Sequence, residues 1–268
     1  MNGVSIVNDS IYRIITPYCD IYTTMYVIKT DEGVMIFDTA SGDSDITDHL
    51  LPLLENVKIE LGDVKYIFIS HKHRDHARGL GKLLEKTPDA VILSRSPALK
   101  EEYPDFNVVC PEDGDTFMSV LRVVTIPGHT LDSAAVLDTR TKTMITGDCL
   151  QLGGIFGSGN WACNITFVRE HFEALDKLEK MDINNVYTAH DYHPFGYKYL
   201  GKYEIKAALE ECRKPLLDVA RLIKDNPETD DEGIREIYNA SGKLPKLAVA
   251  VVAAVRNALK DGVFDADN

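Results

Sequence analysis

Three histidines and one aspartate crowd into the six residues His71-Lys72-His73-Arg74-Asp75-His76. Imidazole nitrogens and a carboxylate oxygen are the donors that zinc and non-haem iron prefer. The cluster follows Val64–Ile69, a short apolar run of the buried-strand kind. It therefore falls on a strand-end loop, where side chains can converge on one cleft. A lone histidine is usually a surface or satisfied core residue. An H-x-H-x-D-H run arises by chance in roughly one chain in a thousand of this size.

The elements that must position this cluster can be read on either side of it. Ile11–Ile15, Tyr22–Lys29 and Val34–Phe37 are rich in Ile, Val, Tyr and Thr, and Asp31-Glu32-Gly33 marks a hairpin between the last two. Ser41-Gly42-Asp43-Ser44 turns the chain into a helix over Asp45–Glu55, with Ile46, Leu50, Leu53 and Leu54 at helical spacing. After the cluster, Leu80–Glu85 and Ser96–Glu102 read as helices and Ala90–Leu93 as a strand. Strand patterns recur in Thr116–Ile126, Ala134–Leu137 and Thr143–Thr146. An amphipathic helix is expected over Val168–Met181 and a final strand over Asn185–Ala189. Beyond Tyr199 the character turns helical, over Glu204–Lys224, Asp231–Ala240 and Leu244–Lys260. Such alternation fits two packed sheets with helices outside. Periodicity alone does not separate that from one doubly wound sheet.

In its H-x-H-x-D-H run the sequence resembles the metallo-β-lactamase superfamily, and four further motifs match in order. They are Asp38 in Phe37-Asp38-Thr39, His129 in Gly128-His129-Thr130, Asp148 in Thr146-Gly147-Asp148 and His190 in Ala189-His190-Asp191. The match spans about Tyr12 to His190. The resemblance implies a four-layer αββα sandwich with a C-terminal helical extension and a dinuclear site at one edge. It assigns His71, His73 and His129 to one metal, Asp75, His76 and His190 to a second, and Asp148 to both. Asp38 would orient a ligand imidazole from behind. The cofactors implied are two divalent ions, zinc first, with iron or manganese as alternatives.

Two such ions hold a hydroxide between them and bring the pKa of water down toward roughly 7, so no nucleophilic side chain is required. Asp75 is the expected catalytic carboxylate, orienting the hydroxide and accepting a proton. The reading is a metal-dependent hydrolase of a small ester, thioester or lactone. Departures from the patterns of subfamilies narrow it. The commonest β-lactamases carry cysteine where this chain has Asp148, and the flavodiiron branch has glutamate where this chain has His73. Gly147-Asp148-Cys149-Leu150 with Gly153-Gly154 loosely resembles glyoxalase II, but Ile155–Ser158 lacks that family's arginine, which points away from glutathione thioesters. Lactonases of homoserine lactones carry tyrosine at the position of Gln151. Two alternatives stand beside the hydrolase: a mononuclear iron dioxygenase of the persulfide type, and a catalytically silent metal-binding protein of the same fold.

The other histidines carry less. His49 and His171 lie within helix patterns and are expected to face solvent, and His193 reads as a loop residue. Lys72 and Arg74 could draw in an anionic substrate, and Cys149 reads as a small buried apolar residue. The chain has 268 residues, 29 basic and 42 acidic, for a net charge of −13. That balance argues against a nucleic-acid partner, whose phosphates demand clustered Lys and Arg. Five scattered cysteines fit a reducing compartment. The most apolar run, Leu247–Val255, is far short of the roughly 20 residues that span a membrane. A cytoplasmic enzyme with a small-molecule substrate and no membrane partner is expected, a homodimer being allowed. Residues 1–198 would form the catalytic domain and 199–268 a helical extension packed on it.

Overall fold

The computed structural model describes residues 3–242 and 246–264. The chain divides into two compact units, Met1–Thr125 with Ala134–Arg140, and Ile126–Ser133 with Thr141–Asn268.

The first unit holds a seven-stranded sheet in the order β1 to β7. Its strands are β1 (Val4–Asn8), β2 (Ile11–Tyr18), β3 (Ile21–Thr30), β4 (Gly33–Phe37), β5 (Val64–Ile69), β6 (Val91–Ser94) and β7 (Val108–Val109). The first four form an antiparallel meander, and β4 to β7 are mutually parallel. Parallel strands need crossovers, and helices supply them. They are α1 (Asp43–Asp45) and α2 (Leu51–Asn56), joined by a π-helical turn at Ile46–Leu50, then α3 (Arg74–Ala77), α4 (Leu80–Leu84) and α5 (Pro97–Glu102). The core follows from the spacings in the sequence. Ile46, Leu50, Leu53 and Leu54 pack with Leu80, Leu83 and Leu84 over Val27, Ile36, Ile67 and Ile92 of the sheet. The same unit carries an antiparallel set of β8 (Thr116–Phe117), β9 (Leu121–Thr125) and β10 (Ala134–Asp138).

In the second unit β11 (Thr143–Ile145) runs parallel to β12 (Asn185–Tyr192), with α6 (Val168–Glu179) between them in sequence. The strand expected to end at Ala189 continues to Tyr192 and folds back on β13 (Gly196–Leu200). His193-Pro194-Phe195 makes the turn, and Tyr197 and Tyr199 alternate along the strand that follows. The Val4–Asn8 strand likewise precedes the first strand expected from the sequence. Three helices close the chain: α7 (Gly201–Asp225), α8 (Asp231–Ala240) and α9 (Val249–Lys260). The expected start of the last helix at Leu244 lies outside the described residues. Leu216, Val219 and Ile223 of α7, Ile234 and Tyr238 of α8, and Val251, Val252 and Val255 of α9 pack with Cys163, Ile165 and Val168 in one cluster. An ion pair of 2.6 Å between Arg213 and Asp176 ties α7 to α6. Among the described residues no helix is long and apolar enough to cross a membrane.

One close approach fixes the histidine-rich segment on the first unit. Thr39 N donates to His76 O at 2.7 Å and Arg78 N to Ala40 O at 3.2 Å. These bonds draw Gly79 so near that a Cβ there would stand 2.2 Å from Thr39 O and 2.9 Å from Ile46 Cγ1. Backbone cannot yield as a side-chain tip can. Replacing Gly79 with alanine is expected to destabilise the fold by about 1–3 kcal/mol, the usual cost of overpacking. Urea denaturation measures it, and an unchanged midpoint would contradict this account of the segment.

Candidate metal centre

The first unit contributes its donors around one buried carboxylate. Asp38 is 1% exposed and takes a left-handed φ of 60° just after β4. Aspartate tolerates that region better than most residues. Three donors hold it there. Ser70 gives its N–H to Oδ1 at 2.8 Å and its hydroxyl to Oδ2 at 2.9 Å, and His76 gives Nδ1–H to Oδ2 at 2.7 Å. Burial pushes the Asp38 carboxyl up, while His76 and Ser70 draw it back down. Ser70 alone supplies two donors, one to each oxygen, and an ionised carboxylate accepts both. With that carboxylate as acceptor the proton on His76 sits on Nδ1, and Nε2 turns toward Asp75. That atom lies 3.3 Å from Oδ2 of Asp75.

His71 and His73 form a second pair. Ser70 Oγ, already donating to Asp38, faces His71 Nδ1 at 3.1 Å and can accept its proton. His71 Nε2 and His73 Nδ1 then converge to 3.0 Å. Two nitrogens bound to one tetrahedral zinc stand roughly 3.3 Å apart. Asp75, in α3, is anchored through its main chain, where its carbonyl accepts the Thr23 hydroxyl at 2.8 Å.

The second unit centres on Asp148, 6% exposed at the end of the β11 strand segment. Its two oxygens face two different imidazoles. Oδ1 lies 3.1 Å from Nε2 of His190, and Oδ2 lies 3.8 Å from Nε2 of His129. The Tyr192 hydroxyl donates to Oδ1 at 3.0 Å. Residues two apart on a strand share a face, so the placement of Tyr192 beside His190 could have been read from the sequence. On the other imidazole, His129 Nδ1 lies 2.7 Å from the Asn164 carbonyl. Candidate ligand atoms of His71 with His73, of Asp75 with His76, and of Asp148 with His190 all approach within 4.8 Å. Ser70, Tyr192, Gln151 and Asn164 are supporting residues the sequence reading did not name as such.

One expectation fails. His171, expected to face solvent, is fully buried on α6, and among the described residues neither ring nitrogen has a hydrogen-bond partner. Its ring lies against Gly128: a Cβ there would stand 2.7 Å from Nδ1. Gly128 takes a φ of +151°, open to glycine but strained for other residues. A helical position preceding three buried apolar ones belongs to the inner stripe, and periodicity outranks polarity here. His49 is half-buried rather than exposed. Cys149 is buried as expected, and the thiol of Cys212 is pushed up to about 12 by burial, which keeps it neutral. Lys72 is held by Glu102 at 2.7 Å. The His193 ring stacks on Phe156 with centroids 3.6 Å apart.

The sequence model of the Metallo-beta-lactamase superfamily matches residues 20–190. A Beta-lactamase-like protein 2 homolog from Caenorhabditis elegans is 22% identical over 254 residues, covering 91% of this chain and 80% of that protein. An Atrochrysone carboxyl ACP thioesterase from Paecilomyces divaricatus is 27% identical over 171 residues, covering 63% of this chain. This chain spans 50% of that thioesterase's length. Among solved structures, a metallo-beta-lactamase family protein from Thermus thermophilus superposes with a TM-score of 0.68 at 18% identity, covering 96% of this chain and 95% of that one. The fold is the αββα sandwich expected from the sequence, with α7, α8 and α9 as its C-terminal helical segment.

Two outcomes follow from these surroundings. Asp38→Asn places an amide donor among three existing donors, so stability should fall by about 1–3 kcal/mol. Binding of zinc by the demetallated protein should weaken by about 10–100-fold. Calorimetric zinc titration reads the second effect, and wild-type affinity would refute the role given to Asp38. His171 makes an acid-sensitivity prediction. Burial, with Arg213 and His129 nearby, lowers its pKa from 6.5 to about 3. The unfolded chain takes up a proton below pH 6.5 that the folded chain refuses. Stability is therefore whole above that pH and declines below it, by at most about 1.4 kcal/mol per pH unit. Urea denaturation between these two pKa values should show a shallower decline for His171→Leu than for wild type.

Proposed function

The chain belongs to the metallo-beta-lactamase superfamily, and we propose that it is a metal-dependent hydrolase of a small thioester, ester or lactone. One observation carries the reading: the two oxygens of Asp148 address different histidines, His190 and His129. That is the arrangement of a carboxylate shared between two cations. The donor set fits such ions. It is made of imidazoles and carboxylates alone, and His76 and His129 each have one ring nitrogen committed to an acceptor and the other turned to a carboxylate. In this reading His71, His73 and His129 hold one cation, and Asp75, His76 and His190 the second. Asp148 serves both, and zinc is the first choice.

Bound cations of this kind polarise a carbonyl and bring the pKa of water down toward roughly 7. The residues of the chain do the rest. Asp75 accepts and carries the proton of the attacking water, with Oδ2 held 3.3 Å from His76 Nε2. Tyr192 keeps Oδ1 of Asp148 aimed, so that the shared carboxylate does not rotate away. Asp38 and the Asn164 carbonyl keep His76 and His129 in the tautomers that bind metal. A thioesterase relative supports an acyl thioester among the substrates to test first. The net charge of −13 supports a small molecule over nucleic acid. Residues 1–198 remain the proposed catalytic part, with 199–268 as its extension.

The test joins metal analysis to turnover. Wild type should carry about two zinc ions per chain and release thiol from a simple acyl thioester, with chelation abolishing the reaction. Asp148→Ala should retain at most one ion and lose activity by about 10³-fold or more. Turnover that survives both chelation and Asp148→Ala would reject the hydrolase reading.

A further inference from the structure

Gln151 sits three residues beyond Asp148 and is 4% exposed. Its surroundings fix which way its amide points. The Asn164 N–H lies 2.6 Å from Oε1, and a backbone N–H can only donate, so this atom is the amide oxygen. The same residue, Asn164, turns its carbonyl to His129 Nδ1 at 2.7 Å. A carbonyl can only accept, so Nδ1 carries the imidazole proton. Nε2, on the side of Asp148, is left with its lone pair. Gln151 Nε2 stands 3.1 Å from Nδ1. The hold of Gln151 on the Nδ1–H form therefore runs through Asn164 rather than through this contact.

The main chain is held to match. Thr166 N and Phe167 N both donate to Gly128 O, at 3.0 and 2.9 Å. The segment following Asn164 therefore grips the peptide before His129 while Asn164 grips the ring. Gln151 is the pin that joins this segment to the stretch bearing Asp148. We propose that Gln151 is a positioning residue. By holding Asn164 it selects the Nδ1–H tautomer of His129 and sets the affinity of the cation that His129 binds. The inference rests on the reading that His129 is a metal ligand, and it assigns a task to a side chain that the sequence presented only as a departure from lactonases.

Competitive zinc titration of the demetallated full chain tests it, with long-range proton–nitrogen NMR of the histidine rings as a second readout. Gln151→Ala should weaken the cation bound by His129 about 10–100-fold and leave the other cation unchanged. In the same variant the His129 ring should populate the Nε2–H tautomer. Gln151→Glu retains an acceptor for Asn164 N and adds one facing Nδ1–H, so it should bind zinc at least as tightly as wild type. A merely structural role for Gln151 would loosen both cations together and leave the tautomer alone. Should Gln151→Ala not fold, Gln151→Met, close in volume and without polar atoms, reads the same effect. If His129→Ala loses one cation while Gln151→Ala or Gln151→Met binds like wild type, the pin is refuted. If His129→Ala keeps both cations, the metal assignment itself falls, and the inference with it.

Discussion

A carboxylate removed from water must be surrounded by donors, because a buried charge without partners is among the costliest features a fold can carry. Asp38 meets this constraint in a way that organises everything near it. Its donors are the backbone and hydroxyl of Ser70, where β5 ends, and the ring of His76, within α3. Satisfying one carboxylate therefore sets where the strand stops, where the short helix runs and which nitrogen of His76 faces Asp75. The left-handed turn at Asp38 is the local cost of aiming both oxygens inward. Glycine at position 79 is the steric condition for the same contact, since the returning chain must pass against Thr39 O.

The second unit solves a similar problem with a neutral acceptor. A backbone carbonyl, not a carboxylate, stands behind His129, and such an acceptor is only as well placed as the loop it belongs to. This explains why side-chain support gathers there, from Gln151 on one flank and the buried ring of His171 beneath Gly128 on the other. Asp148 is steadied by a phenol, and Tyr192 reaches it because it shares a strand face with His190. The two units thus prepare their imidazoles by different means toward one end: a ring whose outward nitrogen is a base.

Much of this was legible in the residues. The H-x-H-x-D-H run was visible because its donor types crowd together after a strand, and His129, Asp148 and His190 were named through the resemblance to the family that the run carries. The helices were legible where apolar spacing was regular, as at Ile46, Leu50, Leu53 and Leu54. What stayed hidden was of two kinds. Short strands next to turns, such as Gly196–Leu200, carry too few residues for alternation to dominate. Polar residues turned inward, such as His171 and Gln151, contradict the rule that polarity means exposure, and only contacts distant in sequence reveal what they meet. Asn164 could not have been found at all, because it acts through its main chain and any residue there would offer the same carbonyl.

The order of synthesis gives the arrangement around Asp38 one more meaning. A ribosome that has just passed His76 has already made every group that orients that ring: the aspartate, the serine and the strands β4 and β5 between which they lie. None of Asp148, His190 or Tyr192 yet exists. A chain stopped at that stage has every partner of the ring but neither Leu80, Leu83 and Leu84 nor Ile92, whose packing over the sheet shelters the contact. The groups that orient the ring and the core that keeps water from them are therefore written in successive stretches of the chain.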